Sequence, residues 1–137
     1  DYLLLAKLHP RRRFSAKEDR RRLTCAPFLR GDVPGEQVGI ENHLNYITSR
    51  ERCLSRDEVL GLAAVLSSSV MEKYFAIFSG STQVGATELR MLPLPTMNEI
   101  GAIGQLLCGQ EAQRDADSVV SHVLSLPSKL LTELGRA

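Results

Sequence analysis

The sequence predicts an α+β fold in which an antiparallel or mixed sheet in the N-terminal half is followed by packed helices. Strand patterns fall within residues 1–54, and helical patterns preceded by capping residues fall within residues 55–137. Strands that precede helices, rather than alternating with them, are typical of this class. With 137 residues, the chain is expected to form a single domain with one hydrophobic core.

Three segments predict the strands. "DYLLLAKLHPRRRF" is rich in apolar residues with a bend expected at Pro10, and "RRRLTCAPF" predicts a second strand that is broken by Pro27, because proline has no backbone N–H to donate. "QVGIENHLNYITS" alternates with the period of two that is typical of a half-buried strand. Its predicted buried face comprises Val38, Ile40, Leu44 and Tyr46, and its polar outer face comprises Gly39, Glu41, His43 and Asn45.

The helices are predicted from capping boxes, in which a Ser or Thr is followed three residues later by a Glu. Ser15 with Glu18 predicts at most one helical turn, and the pairs that start longer helices are Ser55 with Glu58, Ser69 with Glu72 and Thr96 with Glu99. Apolar residues at three- and four-residue spacing follow each pair, which predicts one buried face per helix. We therefore expect the serines at 67–69 to mark a joint between two short helices. "DADSVVSHVLSLP" and "SKLLTELG" are expected to form one or two closing helices.

Residues 80–95, "GSTQVGATELRMLPLP", predict an extended polar connection between two helices. Thr and Val favour extended backbone, and Gly85 permits a bulge or a close approach. Pro93 and Pro95 favour extended conformations in the residues that precede them. Both ends of the connection are therefore expected to be held, so that the polar side chains between them can be presented to a partner.

The charge of the chain is unevenly distributed. Residues 1–56 hold 12 Lys/Arg and 7 Asp/Glu, a net charge of +5, whereas residues 57–137 hold 5 Lys/Arg and 9 Asp/Glu, a net charge of −4. Eight of the basic residues fall within residues 7–22. A basic end on a nearly neutral domain favours a polyanionic partner. The alternative is a charged face that contacts only water.

Motifs for self-contained catalysis are absent from the sequence. It has no GxGxxG, GxxxxGKS/T or GxSxG spacing, and His9, His43 and His122 are scattered. The cysteines are predicted to be reduced, buried or half-buried thiols of a cytosolic protein, because their wide spacing suits neither a metal site nor disulfide pairs. No apolar run approaches the roughly 20 residues of a membrane span, so no membrane partner is expected.

The segments "GIENHLNYI", "GLAAVLSSSVMEKYFAIFSGSTQVGATELRMLPLP" and "TMNEIGAIG", together with the basic segment "RRFSAKEDRRRL", cover much of residues 3–107. Together they resemble the C-terminal target-recognition domain of TaqI-like adenine-specific DNA methyltransferases of restriction-modification systems. The chain departs mildly from the family pattern, which often has Asn at the position of Ser67 and Asp at the position of Glu72.

The resemblance implies a DNA-binding module that positions the catalytic methyltransferase domain of the same parent chain on double-stranded DNA. The Asn/Asp-Pro-Pro-Tyr/Phe loop and the glycine-containing S-adenosylmethionine loop of the family are missing from this sequence. The fragment is therefore expected to have no catalytic residue, and the parent enzyme to bind S-adenosylmethionine. Because Asp1 leads directly into a predicted strand, we expect the chain to be part of a longer, cytoplasmic protein.

The candidate DNA contacts are basic or carry hydrogen-bond donors, which commonly bind phosphates and base edges. They are Arg11, Arg12, Arg13, Lys17, Arg20, Arg21, Arg22, Asn42, His43, Asn45, Ser81, Thr82, Gln83, Thr87 and Arg90. The alternative is a protein-interaction module whose acidic helical half docks on a catalytic domain or a partner subunit. For Thr82 and Gln83 a second alternative is that they hydrogen-bond to the backbone of their own loop.

We predict that Thr82→Ala and Gln83→Ala each weaken DNA binding by the intact protein without lowering its thermal midpoint. Removing one hydrogen bond to a phosphate should cost about 0.5–1.5 kcal/mol, and the effect should be equal on cognate and non-cognate DNA because phosphate contacts do not read sequence. Binding to both DNAs and the thermal midpoint test this. A lower midpoint with unchanged affinity would mean that the two side chains only hold the loop.

Overall fold

The computed structural model describes residues 3–8, 23–29, 31–32, 34, 39–40, 44–78, 85–108 and 115–127. Within these residues, three strands precede five helices, so the predicted α+β class is confirmed. The strands are β1 (Leu3–Leu8), β2 (Leu23–Phe28) and β3 (Leu44–Ile47). The helices are α1 (Arg56–Leu66), α2 (Ser69–Phe78), α3 (Ala86–Arg90), α4 (Met97–Cys108) and α5 (Ala116–Val123).

The strands form an antiparallel sheet in the order β2-β1-β3, so β1 lies between its two neighbours. The prediction that Pro27 breaks the second strand is wrong, since β2 continues to Phe28. The backbone N–H of Cys25 points away from β1, toward a side chain on the outer edge. Pro27 follows two residues later and has the same orientation, so its missing N–H removes no hydrogen bond to β1.

The third strand is shorter than predicted, and its buried face was assigned incorrectly. Among the described residues, the strand covers Leu44–Ile47 and does not include residues 39–40 or 48–49 of the predicted segment. Tyr46 is 59% exposed, whereas Ile47 packs against the core. In the sheet, Tyr46 pairs with Leu5, which pairs in turn with the exposed Ala26, so this row lies on the face away from the helices. The pairing register with β1 decides which face is buried, and a shift of one residue exchanges the faces.

Two of the predicted capping boxes are confirmed. At the start of α1, the Glu58 N–H donates to the Ser55 hydroxyl (3.2 Å) and the Ser55 N–H donates to the Glu58 carboxylate (2.7 Å). At the start of α4, the Thr96 N–H donates to the Glu99 carboxylate (2.8 Å), and the Glu99 N–H donates to the Thr96 hydroxyl (3.4 Å). Each box satisfies backbone donors that the first helical turn leaves without an intrahelical partner.

The joint between α1 and α2 is confirmed, but the predicted capping box of Ser69 with Glu72 is wrong. The cap of α2 is Ser68, which is only 2% exposed and accepts a hydrogen bond from the Met71 N–H (3.2 Å). The Ser69 N–H instead donates to the carboxylate of Asp117 in α5 (2.7 Å). Because the helix begins one residue earlier than the box requires, Glu72 lies beyond capping reach and its carboxylate contacts the sheet.

The connection before α4 was predicted to be extended. This prediction is wrong for residues 86–90, which form α3. The Glu88 carboxylate accepts a hydrogen bond from the Gly85 N–H (2.5 Å), and the Leu89 N–H donates to the Gly85 carbonyl (3.1 Å). These bonds start a helical turn in spite of the extended preference of Thr and Val. After the turn, Leu92 is 7% exposed and anchors the proline segment to the core. Residues 79–84 lie outside the described residues.

Helix α1 lies at the centre of the fold. It packs against β1, β2, α2, α4 and α5, and 8 of its 11 residues are buried. Its contact with α4 is unusually close, because a Cβ added to Gly61 would lie 1.8 Å from the Ile100 carbonyl oxygen, and one added to Gly104 would lie 1.8 Å from that of Asp57. The two backbones therefore touch at two places where only glycine fits.

Among the residues that the structure describes, no single helix is long and apolar enough to cross a membrane. The consecutive helices α1 and α2 meet the requirements of length and composition only as a pair, and this pair is bent by 53°.

We predict that Gly61→Ala lowers the free energy of unfolding by about 3 kcal/mol or more, because the new methyl group forces the backbones of α1 and α4 apart. Chemical denaturation followed by circular dichroism measures this change.

Gly101→Ala is the matched control on α4, since nothing lies within 4 Å of its added Cβ. Without a clash, the better helix propensity of Ala should raise the free energy of unfolding by about 0.5–1 kcal/mol. Equal effects of the two substitutions would show that the helices do not meet at Gly61.

Candidate nucleic-acid interface

Twelve of the candidate DNA contacts lie outside the residues that the structure describes, so their roles stay predictions. They are Arg11, Arg12, Arg13, Lys17, Arg20, Arg21, Arg22, Asn42, His43, Ser81, Thr82 and Gln83. The other three candidates, Asn45, Thr87 and Arg90, have defined positions.

Helix α3 brings two candidates together on one exposed surface. Thr87 and Arg90 are three residues apart, which places them side by side on the same face of the helical turn, and both are exposed. Between them, Glu88 is half-buried and its carboxylate turns back to the Gly85 N–H. A hydroxyl and a guanidinium are thus presented together, and both are donors that suit a phosphate.

Asn45 is not on the polar outer face that the sequence pattern predicted. It is half-buried in β3 and lies two residues before Ile47, on the sheet face that packs against the helical core. The same register that exposes Tyr46 turns Asn45 inward. An inward position makes direct contact with a nucleic acid less favourable for Asn45 than for Thr87 or Arg90.

The outer edge of β2 is held by Ser67, at the joint between α1 and α2, and by Glu72 in α2. The Leu23 N–H donates to the Glu72 carboxylate (2.8 Å), and the Cys25 N–H donates to the Ser67 hydroxyl (3.0 Å). The Ser67 hydroxyl lies 3.4 Å from the Cys25 carbonyl, to which it donates. These side chains replace a fourth strand at this edge.

The thiol of Cys25 is not activated. Burial raises the pKa of the Cys25 thiol to about 11, and the hydrogen bond from Ser67 offsets this only in part. The thiol is therefore protonated at neutral pH and a poor nucleophile. Cys53 and Cys108 are exposed, in contrast to the prediction that all three thiols are buried or half-buried.

Across the described residues, no group of three or more His, Cys, Asp or Glu side chains is arranged to hold a metal ion.

Exposed arginines lie just before α1 and at its first residue, and the sequence patterns did not single them out. Arg50, Arg52 and Arg56 are all exposed. The Arg52 guanidinium forms a two-pronged ion pair with Glu58, with 2.8 Å between Nη1 and Oε2. Arg50 and Arg56 therefore extend the list of basic groups available on this part of the surface. In the sequence, they were counted only as part of the excess of Lys and Arg over residues 1–56.

The ion pair also changes the acidity of Glu58. The hydrogen bonds from Arg52 and from the Ser55 backbone lower the pKa of the Glu58 carboxyl to about 2, and desolvation opposes them only in part. Arg52 thereby reinforces the capping box that starts α1. Its charge is already compensated, so Arg52 is a weaker candidate for phosphate binding than Arg50 or Arg56.

A cleft of about 320 Å³ lies between α4 and α5. It is lined by Leu106, Asp115, Ser118, Val119 and His122. Of the three predicted DNA contacts with defined positions, Asn45, Thr87 and Arg90, none is among these lining residues.

The chain is similar to segments of two type II methyltransferases. It is 37% identical over 94 residues to M.BsuBI of Bacillus subtilis, a match that covers 69% of this chain and 19% of that protein. It is 33% identical over 116 residues to M.PstI of Providencia stuartii, covering 84% of this chain and 23% of that protein. The chain thus spans about a fifth of the length of these curated relatives. No family model and no solved structure matches the chain.

We predict that Glu58→Gln lowers the thermal midpoint at pH 7 and that the difference from the unaltered protein disappears in acid. Because the folded-state pKa is depressed, the carboxylate stabilises the fold above its ordinary pKa of 4.5, and this contribution is lost as the pH falls toward 2. Thermal unfolding at a series of pH values measures the effect.

The exposed Glu51 provides the control, because its side chain is in no capping box. Glu51→Gln should change the midpoint little at any of these pH values. A difference between the Glu58→Gln variant and the unaltered protein that is the same at pH 7 and at pH 2 would rule out stabilisation by the ionised carboxylate.

Proposed function

We propose that this chain is the DNA-binding target-recognition part of an adenine-specific methyltransferase of a restriction-modification system, and that it positions the catalytic domain of the same parent chain on double-stranded DNA. The observation that carries the proposal is the similarity to about a fifth of each of two type II methyltransferases. A segment of this size without motifs for catalysis suits a module that binds the substrate.

Charge and surface chemistry support a DNA partner. The net charge of +5 on residues 1–56 provides cations for phosphates, and the release of their counterions drives association. The exposed pair of Thr87 and Arg90 on α3 adds a hydroxyl and a guanidinium. Phosphate contacts of this kind fix the register of a protein on DNA, and base contacts by other residues then supply specificity.

The methyl-transfer chemistry and S-adenosylmethionine are assigned to the rest of the parent enzyme. Glycines that cradle a cofactor leave space that the ligand fills, whereas the space beside Gly61 and Gly104 is filled by the backbone of the facing helix. These residues therefore do not fit a cofactor loop. The proposed contribution of this chain is to bind and orient DNA, and no chemical step is assigned to its side chains.

A second function, docking on another protein surface, is favoured by one observation. On α2, Tyr74 is 41% exposed and Ile77 is 88% exposed, one helical turn apart. Exposed large apolar side chains on one helix face are typical of protein interfaces. Such a surface is compatible with DNA binding elsewhere on the chain, since a recognition module must also be held by its catalytic domain.

We predict that reversing the charge of Arg20, Arg21 and Arg22 weakens DNA binding much more than reversing Lys129 and Arg136. For each arginine that neutralises a phosphate, the reversal should also reduce the slope of log affinity against log salt by about 0.9. Gel-shift titrations of the intact protein at several salt concentrations measure both quantities. Equal effects of the two sets would show that the basic run is only a solvated face.

A further inference from the structure

The hydrogen bond between Glu72 and Leu23 joins a helix to the first residue of a strand. The Glu72 carboxylate accepts the Leu23 N–H at 2.8 Å, across 49 residues of sequence. Leu23 is 1% exposed, so its side chain is anchored in the core while its backbone is held by the carboxylate. Leu23 is also the residue that directly follows Arg20, Arg21 and Arg22.

Ser67 holds the same strand two residues later. Its hydroxyl accepts the Cys25 N–H (3.0 Å) and donates to the Cys25 carbonyl (3.4 Å). Ser67 and Glu72 therefore bind successive outward-facing peptide groups of β2, in the way that a neighbouring strand would. We call these two side chains the edge clamp. A strand edge held at two successive points has less freedom to shift or fray than an edge that meets only water.

We infer that Glu72, assisted by Ser67, is a positioning residue for DNA binding, because the edge clamp fixes the point at which the arginine run enters the sheet. The inference rests on the proposed function, in which those arginines bind phosphates. A fixed origin for the run lowers the conformational entropy that is lost when the guanidiniums meet the DNA backbone. Glu72 acts through the strand and makes no contact with DNA.

The charge of Glu72 allows this role to be separated from simple electrostatics. A carboxylate near a DNA-binding segment repels phosphates, so its removal would by itself increase affinity. The edge clamp predicts the opposite result when the hydrogen-bond acceptor is lost. Glu72→Gln removes the charge but keeps an acceptor oxygen, whereas Glu72→Ala removes both.

The test is DNA binding by the intact protein, with a short mixed-sequence duplex as the probe, measured at several salt concentrations. Glu72→Ala should weaken binding about tenfold, the scale of one lost hydrogen bond to a charged group. It should also lower the salt slope toward that of the variant in which Arg20, Arg21 and Arg22 are reversed. Glu72→Gln should bind as well as the unaltered protein or more tightly.

A control variant, a second variant of the edge clamp and a folding measurement accompany this test. Glu51→Ala removes an exposed carboxylate outside the edge clamp and should not weaken binding. Ser67→Ala removes the second point of the clamp and should weaken binding in the same direction as Glu72→Ala. Circular dichroism must show each variant folded at the temperature of the binding measurement. If Glu72→Ala does not fold, the Ser67→Ala variant decides the question.

A double-mutant cycle tests whether Glu72 acts through the arginines. In the background of the reversed Arg20, Arg21 and Arg22, the substitution Glu72→Ala should cause no further loss of affinity. Additive losses, or tighter binding by both Glu72 variants, would overturn the positioning role. If the arginine reversal itself leaves affinity unchanged, the proposed DNA contact fails. If the reversal weakens binding and Glu72→Ala does not, only the positioning role is wrong.

Discussion

The backbones of α1 and α4 meet at Gly61 and Gly104, where each glycine faces a carbonyl oxygen of the other helix. No side chain separates the helices at these points, so α4 lies close enough to bury Ile100 and Ile103 against α1. With α4 on one side and the sheet on another, α1 is almost fully enclosed. The positions of the elements that contact α1 therefore depend on this one close approach.

Three successive serines that follow α1 connect it to the sheet, to α2 and to α5. Ser67 binds the edge of β2, Ser68 caps α2, and Ser69 binds Asp117 at the start of α5. A hydroxyl on a short side chain can bond backbone groups only where they already lie close by. The bend that follows α1 thus aligns the sheet edge, the next helix and the closing helix at the same time.

The candidate contacts that the structure describes lie on elements that this arrangement holds in place. The arginine run precedes the clamped start of β2, and α3, with Thr87 and Arg90, lies between two helices that pack on the core. The acidic carboxylates of the helical half contribute to structure, as Glu58, Glu99 and Asp117 each bind a helix start.

The sequence by itself determined the order of strands and helices, two helix starts and the uneven charge, because each depends on residues near one another in the chain. Ser55 and Glu58 specify a cap within a single turn, whatever lies beyond it. The tertiary structure alone decided the faces of β3, the continuation of β2 through Pro27 and the roles of Ser67, Glu72, Gly61 and Gly104. Those features depend on strand register and on contacts between residues distant in sequence, and no local pattern encodes either.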